Sequence, residues 1–597
     1  MNVSKNPVYQ RIIIFLLIFF SLFTYKCAKV GTITGGPKDV TPPYMVSSKP
    51  EIYATNFKGD KIKIDFNEFV QLKDVSQQFN VSPPFKKKPK LWVNNKSVIV
   101  QYTDTLFDST TYTFNFGKAI ADNNEGNVIE NFEFVFSTTS YLDSMGVHGK
   151  IVDALTLKAS KDPLLAVLYS NLADSAPIKE KPLFTARTDK YGHFSINNVK
   201  PGKYRLYAFK DDNFNYKYDV AQEKFAFADT IVVLNPNTIS QLIKPEMPDT
   251  SIKDSVILTH KQTVAELKQQ RNSVLIDLKS FTEKNRQQIV KTYLWNDKHY
   301  LLLTFNNRLK NDSLELKPIY IPNKNWYQKE YLRDHDSILI WIADTSLLRT
   351  DTLRTAVSFW GTNKKNDTVW TADTLNFRYV APNEKETAKN KALENKNGMK
   401  IICTENSITL NSEPVVETEY PVSLPDTSMC LFIRIADTLK IREKLNIIPD
   451  SIGLRRFRIK HKWLEDTEYR LTFFPGAFTN IYDIPNDTVK LTFRTRKDDA
   501  FGKLIIHMGN ITEPTIIQLL SKDNVMYEKY ITSNGDVIFD YIDPKEYNLR
   551  AIIDTNHDKK WTTGYFLKKI QPERVIYFKE AKNIRANWDV DMVWDLE

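Results

Sequence analysis

Three cysteines and 18 glycines in 597 residues are the first things this sequence is short of. So few thiols cannot staple a chain of this length, which excludes a disulfide framework. Cys403 and Cys430 stand in strand-like text (KIICT, SMCLFIRI) with no CxxC or metal spacing, and read as buried free thiols or as one bridge. The eight histidines include no HExxH pair, and the chain has no GxSxG elbow, no GxxxxGK phosphate loop and no GxGxxG turn. His335, in RDHD (333–336), alone has flanking carboxylates and reads as a solvated turn ahead of a strand. No residue is assigned as catalytic, and the expectation is a protein that is not an enzyme.

Long apolar runs are scarce as well. The one present, Ile12 to Phe23 (IIIFLLIFFSLF), follows Lys5 and Arg11. It falls short of the ~20 residues that a bilayer span needs and has the proportions of a signal-peptide core, giving a leader over 1–26. Without Lys5, Arg11 and Lys26, 79 basic residues face 72 acidic ones, so the formal charge of +10 becomes +7. The one dense cluster, FKKKPK (85–90), has no interleaved aromatics. It reads as a solvated loop, with contact to an acidic surface as the alternative, and nucleic acid is not an expected partner.

What the chain does have is aromatic side chains: 28 Tyr, 35 Phe and 10 Trp. They suit pleated, half-buried surfaces and favour β-structure, and the length favours about four to six domains. Period-2 alternation confirms the type of element. In KIKIDF, Ile62, Ile64 and Phe66 share one face, and in TYTFNF the same holds for Tyr112, Phe114 and Phe116.

Two stretches occur twice. LFDSTTYTFNFGKAI (106–120) aligns with WLEDTEYRLTFFPGAF (463–478) at a constant offset of 357, which pairs Thr110 with Thr467 and Tyr112 with Tyr469. GHFSINNVKPGKYRLYAFKD (192–211) aligns with GDVIFDYIDPKEYNLRAIID (535–554) at an offset of 343, which pairs Pro201 with Pro544 and Tyr204 with Tyr547. Repeats of this kind mark reused modules.

The first repeat, with TPPYMVSSKP (41–50) and the acidic turn ADNNEGN (121–127), resembles the bacterial Ig-like domain first described in S-layer proteins. The second resembles the carboxypeptidase-regulatory, transthyretin-like β-sandwich, an accessory module without catalytic residues of its own. Cys27, just beyond the apolar run and followed by a loose stretch, resembles the lipidation site of a bacterial lipoprotein, although Lys26 replaces the usual small residue. These resemblances imply an all-β chain of tandem Ig-like and transthyretin-like sandwiches in an elongated arrangement. The expected plan is a lipidated linker (27–40), an Ig-like domain (41–140), a transthyretin-like sandwich (145–235) and a linker (236–284) with one helix near 262–270. A diverged Ig-like sandwich (285–382), a linker (383–396), an Ig-like sandwich (397–497) and a second transthyretin-like sandwich (500–597) complete it.

One loop poses a chemical question. Asp211, Asn213, Asn215 and Asp219 fall at positions 1, 3, 5 and 9 of a calcium-loop numbering, and Asp554, Asn556, Asp558 and Thr562 repeat them. That spacing can aim three oxygens inward at a calcium ion. Position 6 is Tyr216 or Lys559 where a calcium loop has Gly, position 12 is Gln222 or Tyr565 where it has Glu, and Glu223 comes one place late. The other reading is a hairpin closed by Asx-turns, with no cofactor.

The resulting expectation is a lipid-anchored envelope protein of a Bacteroidota-type Gram-negative bacterium, tethered to the outer membrane as a rod of sandwiches. Its role would be binding, adhesion or support, with other envelope proteins or glycans as partners. The sequence after Cys27 (AKVGTITGG) lacks an acidic cluster, which favours the periplasmic face. Two alternatives remain: a carbohydrate- or peptide-binding accessory protein using Trp326, Trp341 or Trp360, and an enzyme with its site in 236–396.

Overall fold

The computed structural model describes residues 38–220, 222–235, 273–284, 287–309, 314–319, 325–332, 335–363, 367–381, 399–403, 405, 407–436, 439–450 and 453–596. The leader, Cys27, the helix expected near 262–270 and the linker 383–396 lie outside them. The described chain is all-β, and its described residues divide into two compact units, one ending at Asp143 and one starting at Ser144.

The first unit is one sandwich. Its first sheet runs in the order Met45–Lys49, Lys61–Phe66, Ser97–Gln101, Lys90–Asn94, and its second in the order Asn80–Ser82, Thr111–Asn115, Glu133–Ser137. Alternation sets the layers: Ile62, Ile64, Val98 and Val100 meet Tyr112, Phe114, Phe134 and Phe136, all fully buried. Tyr112 and Phe136 stack with their centroids 5.5 Å apart.

The second unit holds four modules. In the first, Met145–Asp153 pairs antiparallel with His193–Val199, and Leu165–Tyr169 pairs with Gly202–Phe209. Here the structure corrects the expected boundaries. Ser273–Leu275 and Leu278–Thr282, placed by sequence in a linker, run parallel to Met145–Asp153 and complete this module. Leu278 and Phe281 need that interior, and both are buried in it. The fourth module repeats the plan: Gly502–Gly509 pairs antiparallel with Gly535–Ile542 and parallel with Asp589–Asp595, and Thr515–Ser521 pairs with Glu546–Ile553.

Between them lie two more sandwiches. Residues 287–381 form sheets ordered Val290–Asp297, Tyr300–Phe305, Ser337–Ile342, Tyr327–Tyr331 and Leu314–Pro318, Thr352–Thr362, Thr368–Arg378 around Trp295, Leu303, Ile340 and Phe359. Residues 399–495 form sheets of four and five strands around Phe432, Tyr469, Leu471 and Phe493. The repeat at offset 357 is physical. Tyr112 Oη accepts a bond from Phe107 N and Tyr469 Oη one from Leu464 N, both at 2.9 Å. Thr138 and Thr495 each accept a bond from the backbone N of the paired Thr110 and Thr467.

Candidate functional site

The two DxNxN loops fold alike. In the first, Asp211 is buried; its Oδ1 accepts from Asn215 N at 2.9 Å and its Oδ2 from Tyr216 N at 3.1 Å. Asn213 Oδ1 accepts from Asn215 N, Asn215 Oδ1 from Lys217 N, and Asn213 Nδ2 donates to Asp219 Oδ2 at 2.7 Å. In the second, Asp554 accepts from Asp558 N and Lys559 N, Asn556 Oδ1 from Asp558 N, and Asp558 Oδ1 from Lys560 N. Side-chain oxygens at positions 1, 3 and 5 therefore close the turn on its own backbone, as Asx-turns do.

Position 6 makes the left-handed turn without glycine: Tyr216 has φ 63° and Lys559 φ 60°. A non-glycine residue there costs on the order of 1 kcal/mol, and the bonds to Asp211 and Asp554 hold it.

A buried glutamate completes each loop: Glu223, one place late for a calcium ligand, and Glu573, which sequence reasoning missed. Glu223 accepts from Asp212 N and Asp219 N, one with each oxygen. Glu573 does the same in the second loop, accepting from Thr555 N at 3.0 Å and Thr562 N at 2.8 Å. Both carboxylates are buried. Burial pushes Glu223 up to about 7, with the nearby Asp219 and Asp211 charges adding to it, while the two backbone bonds oppose. Glu573 is raised by burial too. The signal was the repeat itself, but Glu573 lies seven places beyond the residue that the offset pairs with Glu223. Among the described residues, no group of three or more His, Cys, Asp or Glu side chains is placed to hold a metal ion.

The acidic turn of the first unit is closed in a different way. Asp122 is buried, and its two oxygens accept from the backbone N of Asn124, Glu125, Gly126 and Asn127. In the second Ig-like copy Asn480 caps the corresponding turn with Oδ1, which accepts from Tyr482 N and Ile484 N.

The three tryptophans proposed as ligand platforms part company. Trp326 and Trp341 are buried, so neither can stack on a ligand. Trp360 is 44% exposed and stands opposite Trp370, equally exposed, on neighbouring strands, with ring centroids 5.4 Å apart and edge to face. Cys430 is a buried thiol outside any disulfide, pushed by burial up to about 11, and half-buried Cys403, also in no disulfide, donates Sγ to Glu405 O at 3.1 Å. His335 sits in a left-handed turn (φ 53°) ahead of the strand, as expected, but its half-buried ring stacks on Tyr331, so the turn is not the solvated one its sequence implied.

Contacts between modules occupy the remaining notable side chains. Trp341 Nε1 donates to Glu330 Oε2 at 2.6 Å, and Arg455 from the following module donates Nε to the same oxygen at 3.0 Å. Tyr482 Oη donates to Ile342 O at 2.8 Å across the same junction. Phe566 of the last module lies buried among Tyr207, Phe225 and Phe227 of the module that begins at Met145. Its backbone N donates to Glu283 Oε1 at 2.9 Å.

The bacterial Ig-like domain family matches residues 39–138, and domain II of polysaccharide lyase family 4 matches residues 165–238. No curated protein matches the chain. Among solved structures, the N-terminal part of the bacterial S-layer protein SbsC is 14% identical over 28% of this chain and 40% of that one, with a TM-score of 0.13. A longer SbsC structure is 10% identical over 90% and 67% of the two chains, and the human desmocollin-1 ectodomain 10% identical over 77% and 80%; both have a TM-score of 0.13. The chain thus spans well under two thirds of the first of these. At such scores the fold assignment rests on the sheets themselves.

Proposed function

We propose that this chain is a non-catalytic, lipid-anchored protein of a Gram-negative cell envelope, of the Bacteroidota type, that acts as a scaffold or adhesive surface on the outer membrane. The observation that carries this reading is the position of an Ig-like sandwich, matched over 39–138, directly after an apolar run and Cys27. Modules that lock to one another through Glu330–Arg455 and Phe566 suit a load-bearing part. Loops and free strand edges are the surfaces it would offer to other envelope proteins. Feeding cells a labelled fatty acid tests the anchor: the label should enter the wild-type chain and not Cys27→Ala, and equal labelling overturns it. Protease shaving of intact cells reads which face the protein occupies.

A second reading, an accessory protein for glycans or peptides, is favoured by the exposed Trp360 and Trp370 and by the match of 165–238 to a domain of a polysaccharide lyase family. Affinity electrophoresis in soluble glycans tests it. Retardation that Trp360→Ala and Trp370→Ala abolish would support it, and no retardation in any glycan would remove it.

A further inference from the structure

The outer face of the first sheet collects positive charge in register. Inward residues of these strands fill the core, so their neighbours in sequence point out. Across the four strands, Lys49 stands opposite Lys63, Lys63 opposite Ile99, and Ile99 opposite Trp92. In the next row out, Lys61 stands opposite Gln101, and Gln101 opposite Lys90. Lys86, Lys87 and Lys88, all exposed, lead directly into Lys90. The acidic groups near this face are few. Asp65 is bound to Lys63 at 2.7 Å and to Ser47 at 3.1 Å, and Asp104 accepts the backbone N–H groups of Lys86 and Lys87.

Directly opposed lysines such as Lys49 and Lys63 weaken a sheet. Asp65 offsets part of this repulsion at Lys63, and an external anion would offset the rest. Trp92, 37% exposed, stands on the edge strand Lys90–Asn94 with Lys61 Nζ 5.7 Å from its ring centroid. A partly exposed tryptophan with a lysine over its ring and Lys90 on its own strand suits the headgroup level of a bilayer, where its ring meets the apolar boundary and the ammonium groups stay wet. The face is a pleated sheet four strands wide, so it fits an extended anionic surface better than a small anion.

We infer that this face docks on the anionic surface of a lipid bilayer. The inference rests on the lipid-anchored reading for the choice of occupant. The segment from Ala28 to Tyr44 reaches at most about 60 Å, so an anchor at Cys27 keeps this module beside the membrane. Headgroup attraction then sets which side of the module faces the lipid.

The chain from Ala28 onward keeps every described module and lacks the apolar run and Cys27, so its binding reports the face alone. Flotation with vesicles of phosphatidylcholine, or of phosphatidylcholine with a third phosphatidylglycerol, is the measurement. Recovery on the anionic vesicles should be at least about tenfold higher and should fall as salt rises. The Lys61→Glu, Lys63→Glu, Lys90→Glu triple variant should lose this difference, and Trp92→Ala should reduce binding several-fold. Should the triple variant fail to fold, Lys86→Glu with Lys87→Glu, in the loop, tests the same field. Equal recovery on both vesicles, no flotation, or undiminished binding by folded charge-reversed variants would overturn the inference. Retention on soluble heparin without flotation would also overturn it and assign the face to a polyanion. Failure of the anchor shows elsewhere, as equal fatty-acid labelling of wild type and Cys27→Ala.

Discussion

Glu223 and Asp122 are both buried carboxylates that hold turns, and their surroundings drive them in opposite directions. Burial lifts Glu223 to about 7, against about 4.3 in an unfolded chain. The folded state therefore binds the extra proton between those values, so stability is complete below about pH 4 and is lost as pH rises through 7. We expect the unfolding free energy to fall by about 2 kcal/mol between about pH 5 and pH 8, and Glu223→Gln to flatten that slope. Urea titrations across this range decide it, and identical slopes for both proteins refute it. At Asp122 burial also pushes upward, but four backbone N–H bonds outweigh it and the carboxyl lies below its ordinary value. Its stabilisation is present above about pH 4 and disappears as pH falls through the lowered value. Asp122→Ala should cost about 3 kcal/mol at neutral pH, and Asn480→Ala, which removes two neutral bonds, about 1 kcal/mol. Equal losses in thermal melts would contradict this account of the two turns.

At the scale of elements, the junction between the sandwiches at 287–381 and 399–495 turns on one buried carboxylate. Glu330 is 2% exposed and is satisfied by Trp341 and Arg455. Arg455→Ala strands that charge and should cost 3–5 kcal/mol by analogy with other broken buried pairs, about what a full pair deletion avoids. Glu330→Leu with Arg455→Met should come within about 1 kcal/mol of wild type, measured by chemical denaturation. A double variant as unstable as the single one would show that shape, not charge, governs the junction. The same junction explains what sequence could and could not reveal. Strands with one wet face, such as Lys61–Phe66, announced themselves by alternation, and the 357-residue repeat returned the same Tyr–Thr corner twice. Ser337–Ile342 is buried on both faces because the following module covers its outer side, so Trp341 gave no sign of which way it faced. Leu278–Thr282 was opaque for a related reason: its partner Met145–Asp153 lies across a long parallel crossover, which leaves no local pattern. Of the loop sites, the Asp and Asn ring was legible from spacing, while Glu573 escaped because only the fold returns it to the loop.

On the scale of the whole molecule, the modules that are most alike in sequence are neighbours in space, although two sandwiches separate them along the chain. Lys569 pairs with Asp174 at 2.9 Å, Lys158 with Asp523 at 2.6 Å, and Gln571 Nε2 donates to Phe227 O at 3.1 Å. A fragment ending at residue 235 would lack both Leu278–Thr282 and Phe566, so the calcium question belongs to the chain from residue 144 onward. With the loops closed by their own backbone, millimolar calcium should leave its melting temperature unchanged. A rise of several degrees that Asp211→Asn removes would instead establish a calcium loop. Phe566 tests the docking itself. It is 1% exposed, with its ring centroid 4.5 Å from that of Phe225 and 5.4 Å from that of Tyr207. Surface ion pairs contribute little, about 0–1 kcal/mol each, whereas removing a buried Phe costs about 3–5 kcal/mol. The ring, more than the charges, should therefore couple the two modules. Phe566→Ala is expected to split one calorimetric transition into two and to expose the Tyr207–Phe225 surface to a hydrophobic dye, while Lys158→Ala and Lys569→Ala leave the transition intact. If Phe566→Ala melts as the wild type does and binds no more dye, the modules stand without each other's help and the contact is incidental.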